Sequence, residues 1–228
     1  VIPTISRRQI PFIGRKRMAE VDRLMLEKYH IDLIQMMENA GNQLARLTLT
    51  MIDKNIKNPA VLVLAGKGGN GGGALSGARH LSNMGCTISV CLSNPPEQLD
   101  AVTFHQLEIL QRMRIPILSS IKDSPMTPTV IIDGLIGYNL NGSPRGRAAE
   151  LIDQANNQQV PVLSLDLPSG LDADSGEHLQ SYIEAHHVLT LALPKTGLKN
   201  WPAAETKNRL FLADIGVPPE LYRNAFGL

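Results

Sequence analysis

Cysteine is nearly absent from this chain: Cys86 and Cys91 are the only two among 228 residues. Two cannot build a disulfide framework, and neither has metal-ligand partners at useful spacing. Both lie in or beside an apolar, strand-like run, which reads them as buried free thiols. An excess of charge of one sign is missing too, with 22 basic residues against 21 acidic ones. That balance argues against broad nucleic-acid binding and leaves only a local patch for it. No apolar stretch approaches the ~20 residues needed to cross a bilayer, so no membrane association is expected. Residues 1–14 lack the apolar segment that forms the centre of a signal peptide. Internal repeats and low-complexity linkers are absent. A soluble, cytoplasmic protein is the expectation, with residues 1–228 forming one domain of α/β size.

Several catalytic signatures are also lacking. The G-x-x-x-x-G-K-[ST] phosphate loop is excluded, because no Lys-Ser or Lys-Thr follows the glycines. No acidic residue stands at the end of the run 87–92, where a dinucleotide dehydrogenase usually holds the ribose. Pro168-Ser169-Gly170 is not the G-x-S-x-G of a nucleophile elbow. Asp172, Asp174 and Glu177 miss EF-hand spacing and read as a solvated turn. His186-His187 opens a strand-like run with no third ligand in register, which favours a structural pair.

What is present is led by the run Val61-Leu62-Val63-Leu64-Ala65-Gly66-Lys67-Gly68-Gly69-Asn70-Gly71-Gly72-Gly73. A buried strand passes there into a glycine-rich turn, followed by a helical pattern over 74–84. Glycine lets consecutive N–H groups approach an anion, and the positive end of the helix dipole adds to them. Gly66, Gly68 and Gly71 also satisfy G-x-G-x-x-G, a weak pattern alone that a merely tight turn would satisfy equally. Two helical patterns precede this run. One spans 18–29; in the other, capped by Asp32, Leu33, Met36, Met37, Ala40, Leu44 and Leu47 form an apolar stripe. That stripe reads as core. Strand-like runs follow at 60–65, 87–92, 129–132, 160–165, 187–192 and 210–213, with further helical patterns at 99–113 and 145–157. The alternation predicts a mainly parallel sheet covered on both faces.

On that plan the glycine loop, Asp133 and Asp166 all follow apolar runs and share the carboxyl rim of the sheet. Ligands of open α/β sheets bind outside that rim. For either aspartate alone, capping or turn formation is the ordinary explanation. Their convergence with the glycine loop favours a site.

In order along the chain come Met37-Glu38-Asn39-Ala40-Gly41, the 66–72 loop, Asp133-Gly134-Leu135-Ile136-Gly137, and Asp166-Leu167-Pro168-Ser169-Gly170-Leu171-Asp172. Pro194-Lys195-Thr196-Gly197-Leu198 and Asp214-Ile215-Gly216-Val217-Pro218 complete the set. This order resembles the YjeF N-terminal domain family, whose known enzymes are NAD(P)HX epimerases. The resemblance runs from about Ile10 to Pro218. It implies a Rossmann-like three-layer α/β/α sandwich, with a mainly parallel sheet and two N-terminal helices. It implies a homodimer that binds one potassium ion, acts on NADHX or NADPHX, and feeds a separate dehydratase. By position, Asn70, Asp133 and Ser169 match the potassium ligands. Gly69, Asn70, Gly71, Gly72 and Gly73 match substrate contacts, as do Gly137, Tyr138, Asn139, Leu140, Asn141, Gly142, Ser143 and Asp166. On chemical grounds a carboxyl group at Asp166 would also protonate the departing oxygen of carbon 6 and later activate water, as general acid–base catalysis demands. Where the family usually reads N-N-G-G-D-G, this chain reads Gly69-Asn70-Gly71-Gly72-Gly73-Ala74. That departure keeps a second expectation alongside the enzyme: a family member that binds a nucleotide or a protein without turning it over.

Overall fold

Alternation within the apolar runs divides their side chains between two faces of one sheet. In β1 (Ala60–Ala65), Val61, Val63 and Ala65 pack into one layer, while Leu62 and Leu64 pack into the other. The computed structural model describes residues 10–201 and 209–227. The expectations for residues 1–9, and that share of the 1–228 domain, lie outside the described residues. β1 is joined by β2 (Thr87–Leu92), β3 (Ile117–Leu118), β4 (Val130–Gly134), β5 (Val162–Leu165), β6 (His187–Leu191) and β7 (Arg209–Ala213). They form a seven-stranded sheet in the order β3-β2-β1-β4-β5-β6-β7. Every pairing is parallel. Strands this continuously apolar need cover on both sides.

Helices supply it. On one face α2 (Leu33–Met51), α3 (Gly69–Asn83) and α4 (Ala101–Arg112) bring Leu44, Leu75, Leu81, Leu107 and Leu110 onto the sheet. On the other, α5 (Gly146–Asn156) brings Leu151, Ile152 and Ala155, joined by Leu167, Leu171 and Ile183 from the segment after β5. The result is the three-layer sandwich. α1 (Arg15–Glu27) and α6 (Pro219–Phe226) close one end, where Met18, Val21 and Met25 meet Met36, Ile215 and Leu221. Asp32 stands at the N-cap of α2, its N–H donating to Gln35 Oε1 at 2.7 Å. Cys86 and Cys91 are buried free thiols, and burial pushes the Cys91 thiol up to about 11.

Four elements differ from the sequence expectation, each for a physical reason. α3 begins at Gly69 and not at 74, so the glycines form its first turn. Glycine disfavours helices, yet a Cβ at Gly71 would lie 1.9 Å from Gly66 O, so close approach dictates the residue type. Asp133 stands within β4, paired with Leu64 and Ser164, and not beyond the strand end. The edge strand β3 and the short α6 were not anticipated; each is too brief to show a period.

Candidate active site

Strand connections run outward in opposite directions from β1 and from β4, so a crevice opens between them at the carboxyl ends. It is a cleft of about 770 Å³. One wall is apolar, built from Met18 of α1 and from Leu33, Met36, Met37 and Ala40 of α2. The first turns of the α2 stripe, expected as core alone, therefore also face the cleft. A cleft of this size and character, with a few convergent polar groups, is what a small organic ligand requires.

The amino end of α3 forms the opposite floor. A Cβ at Gly66 would lie 1.8 Å from Leu135 O, so glycine there lets β1 and the post-β4 loop approach closely. The first N–H groups of α3 have no partner within the helix and, with its dipole, favour an anion. Gly68, Gly69, Asn70 and Gly73 line the cleft. Gly71 and Gly72, expected as contacts, instead pack against Gly66 and the Met37 side chain. In the loop after β4, Gly137, Tyr138 and Asn139 line the cleft. Leu140 is buried, Asn141 and Gly142 are exposed, and none of these three nor Ser143 lines the cleft.

Beneath the floor lies a group of oxygens. Asp133 is fully buried. Its Oδ1 accepts from Ser169 Oγ at 2.6 Å and Leu135 N at 3.2 Å; its Oδ2 accepts from Ser164 Oγ at 2.7 Å and Ser169 N at 2.9 Å. Burial pushes this carboxyl up, against the downward pull of those bonds. No ion pair among the described residues includes Asp133. The Asn70 Oδ1 and Nδ2 atoms are buried without a hydrogen-bond partner. An orphaned amide oxygen, a buried carboxyl without a cation and a serine hydroxyl fit a hard cation that takes oxygen ligands. They do not fit a transition metal, and no group of three or more His, Cys, Asp or Glu placed to hold a metal ion occurs among the described residues.

Asp166 follows β5 directly and is 3% exposed, at the cleft wall. Its φ is +69°, a left-handed conformation uncommon for a residue other than glycine. Asp166 Oδ1 accepts from Lys195 Nζ and from Leu191 N at 3.3 Å. Lys195 is 1% exposed, and its Nζ also donates to Leu191 O at 2.9 Å. The Lys195 ammonium sits 5.7 Å from the centre of the Tyr138 ring, and the Tyr138 hydroxyl donates to Asp22 Oδ2 of α1. Burial pushes the Asp22 carboxyl up, opposed by the Tyr138 bond and the Lys195 charge and reinforced by Asp166. Sequence reasoning assigned no role to Lys195 or Asp22. Lys195 stood in a motif, and a lysine is rarely buried unless paired, but its partner lies 29 residues away in sequence.

The cleft thus joins an anion-favouring helix end to a buried acidic group, across an apolar wall. A phosphate-bearing ligand with an apolar ring suits it. The family model described as YjeF-related protein N-terminus matches residues 33–197. An NAD(P)H-hydrate epimerase of Dehalogenimonas lykanthroporepellens is 42% identical over 208 residues, spanning 91% of this chain and 83% of that protein. A bifunctional NAD(P)H-hydrate repair enzyme of Moorella thermoacetica is 34% identical over 212 residues, spanning 90% of this chain and 40% of that enzyme. The crystal structure of the yeast protein ynu0 superposes with a TM-score of 0.83 at 24% identity, covering 96% and 94% of the two chains.

Proposed function

We propose, for a chain that belongs to the family described as YjeF-related protein N-terminus, the activity of an NAD(P)H-hydrate epimerase: interconversion of the R and S forms of NADHX or NADPHX. These substrates are reduced nicotinamide nucleotides hydrated at carbon 6 of the ring. The names of relatives at 42% and 32% identity support the activity. The observation that carries it is Asp166, a buried strand-end carboxyl group set at the cleft wall in a left-handed conformation. Inverting carbon 6 requires a proton to leave one oxygen position and return at another, and one positioned carboxyl can serve both directions. The amino end of α3 supports the phosphates, and the Met36–Met37 wall supports the ring.

Asn70 Oδ1, Asp133 and Ser169 Oγ would hold a potassium ion, whose charge would offset that of the phosphates. No polar side chain other than Asn70 projects from the first turn of α3, so backbone donors carry phosphate binding there. A dehydratase consumes the S form. Relatives named as bifunctional repair enzymes, of which this chain spans about 40%, support a separate dehydratase as its partner. The test uses purified protein with (R)-NADPHX, potassium and an S-specific dehydratase. Conversion of the whole R pool to NADPH, well above the spontaneous rate, is the expected result. Tight binding without acceleration would favour the non-catalytic reading.

A further inference from the structure

Among the described residues Lys195 is the largest side chain that is fully buried, and its charge is spent on the site. Its Nζ donates to Asp166 Oδ1 and to Leu191 O, and Asp166 Oδ1 takes the Leu191 N–H as well. One carboxylate oxygen is therefore fully engaged. The other has no hydrogen-bond partner among the described residues. Asp166 Oδ2 faces Gly137, 3.5 Å from where a Cβ would stand, and the Asn70 amide carbon approaches the same point at 3.5 Å. Asp166 and Lys195 form a buried ion pair, and breaking it would strand a charge in the interior. A resting carboxylate takes a proton before it can give one.

We propose that Lys195 is a positioning residue that fixes Asp166 as a base, and that epimerisation accordingly runs through opening of the hydrated ring. The inference rests on the epimerase reading. Asp166 Oδ2 takes the proton of the 6-hydroxyl. The electron pair of that O–H bond closes to a C6 carbonyl while the C6–N1 bond breaks, leaving its pair on N1. The proton passes from Asp166 to N1. The opened chain turns its aldehyde about the C5–C6 bond, N1 adds to the other face, and the same proton returns to oxygen. Nothing is oxidised or reduced, and the oxygen on carbon 6 stays throughout. The competing route, loss of hydroxide as water followed by addition of water, needs an acid first and places a solvent oxygen in every product.

The experiment is epimerisation of (R)-NADPHX by the wild-type protein in ¹⁸O-labelled water, reading the mass of the S form at early times against enzyme-free exchange. Label entering no faster than the enzyme-free exchange supports ring opening; one labelled oxygen per epimerisation overturns it. Lys195→Met is expected to lower kcat at least ~100-fold with KM within about threefold, as loss of a proton-transfer arrangement does. Lys195→Arg keeps the charge but presents a planar fork to Asp166. It is expected to fold and to lose about tenfold in kcat, and it decides the matter if Lys195→Met does not fold. Either folded variant at wild-type kcat would overturn the role given to Lys195. A wild-type protein that does not epimerise at all removes the epimerase reading, and this proposal with it.

Discussion

Asp22 shows how a single residue can cost stability and remain in place. Its carboxyl is pushed up by burial more than its Tyr138 bond and the Lys195 charge pull it down. The folded protein therefore holds this proton more tightly than the unfolded chain. That contribution is whole below the ordinary aspartate range and is lost as pH rises through the raised folded value. At neutral pH the ionised form is the cost. Asp22→Asn, which keeps an acceptor for Tyr138, is expected to raise the melting temperature at pH 7, with the gain shrinking as the pH falls toward the ordinary aspartate range. Thermal unfolding across pH checks this; a gain that grows on acidification would refute it. Asn70 makes a second case, since its buried amide has no partner. Asn70→Ala is expected to leave the melting temperature in potassium-free buffer unchanged or higher, because it removes an unsatisfied group. It is also expected to raise the potassium concentration for half-maximal activity about tenfold, roughly 1.4 kcal/mol of binding. A potassium titration with an unshifted midpoint would remove Asn70 from the proposed ligands.

Among the elements, α2 and α3 set the position of the glycine-built floor. At Gly41 a Cβ would stand 2.4 Å from Ser76 Oγ and 2.6 Å from the Gly77 backbone N, so the two helices cross at backbone contact. Gly41→Ala is expected to cost about 1–3 kcal/mol by forcing them apart, read from urea denaturation midpoints. A midpoint unchanged from wild type would show that the helices can separate freely. The same elements show what the sequence carried. β1 and β2 were legible to the residue, because six-residue runs rich in apolar and β-branched side chains, ending at Gly66 and at Ser93, have few other readings. The start of α3 was not, because Gly69-Asn70-Gly71-Gly72-Gly73 has the composition of a loop, and only its tight packing on Gly66 and Met37 makes it helix. Of the candidate site, Asp166 was legible from its place after an apolar run. Lys195 and Asp22 were not, since what makes them notable is a pairing across the fold. The Met36–Met37 wall was legible as apolar but not as cleft-facing, a distinction fixed by where α1 leaves the cleft open.

Across the whole molecule, the parallel sheet brings residues from opposite ends of the chain to one cleft: Met18 and Asp22, the amino end of α3, the post-β4 loop, Asp166 and Lys195. Even the backbone beside Lys195 takes part, since Ile13 N donates to Pro194 O at 2.9 Å and Thr196 N donates to Ile13 O at 3.0 Å. α1 is thereby tied to the segment that carries the buried lysine. No helix among the described residues is long and apolar enough to cross a membrane. In the proposed reaction Asp166 handles the proton at carbon 6, and R-to-S conversion by Asp166→Asn beside the wild-type protein, both in saturating potassium, tests that role. A fall in kcat of at least ~100-fold, in a variant that still binds NADPHX, is the predicted result. Equal rates from the two proteins would remove Asp166 from the reaction.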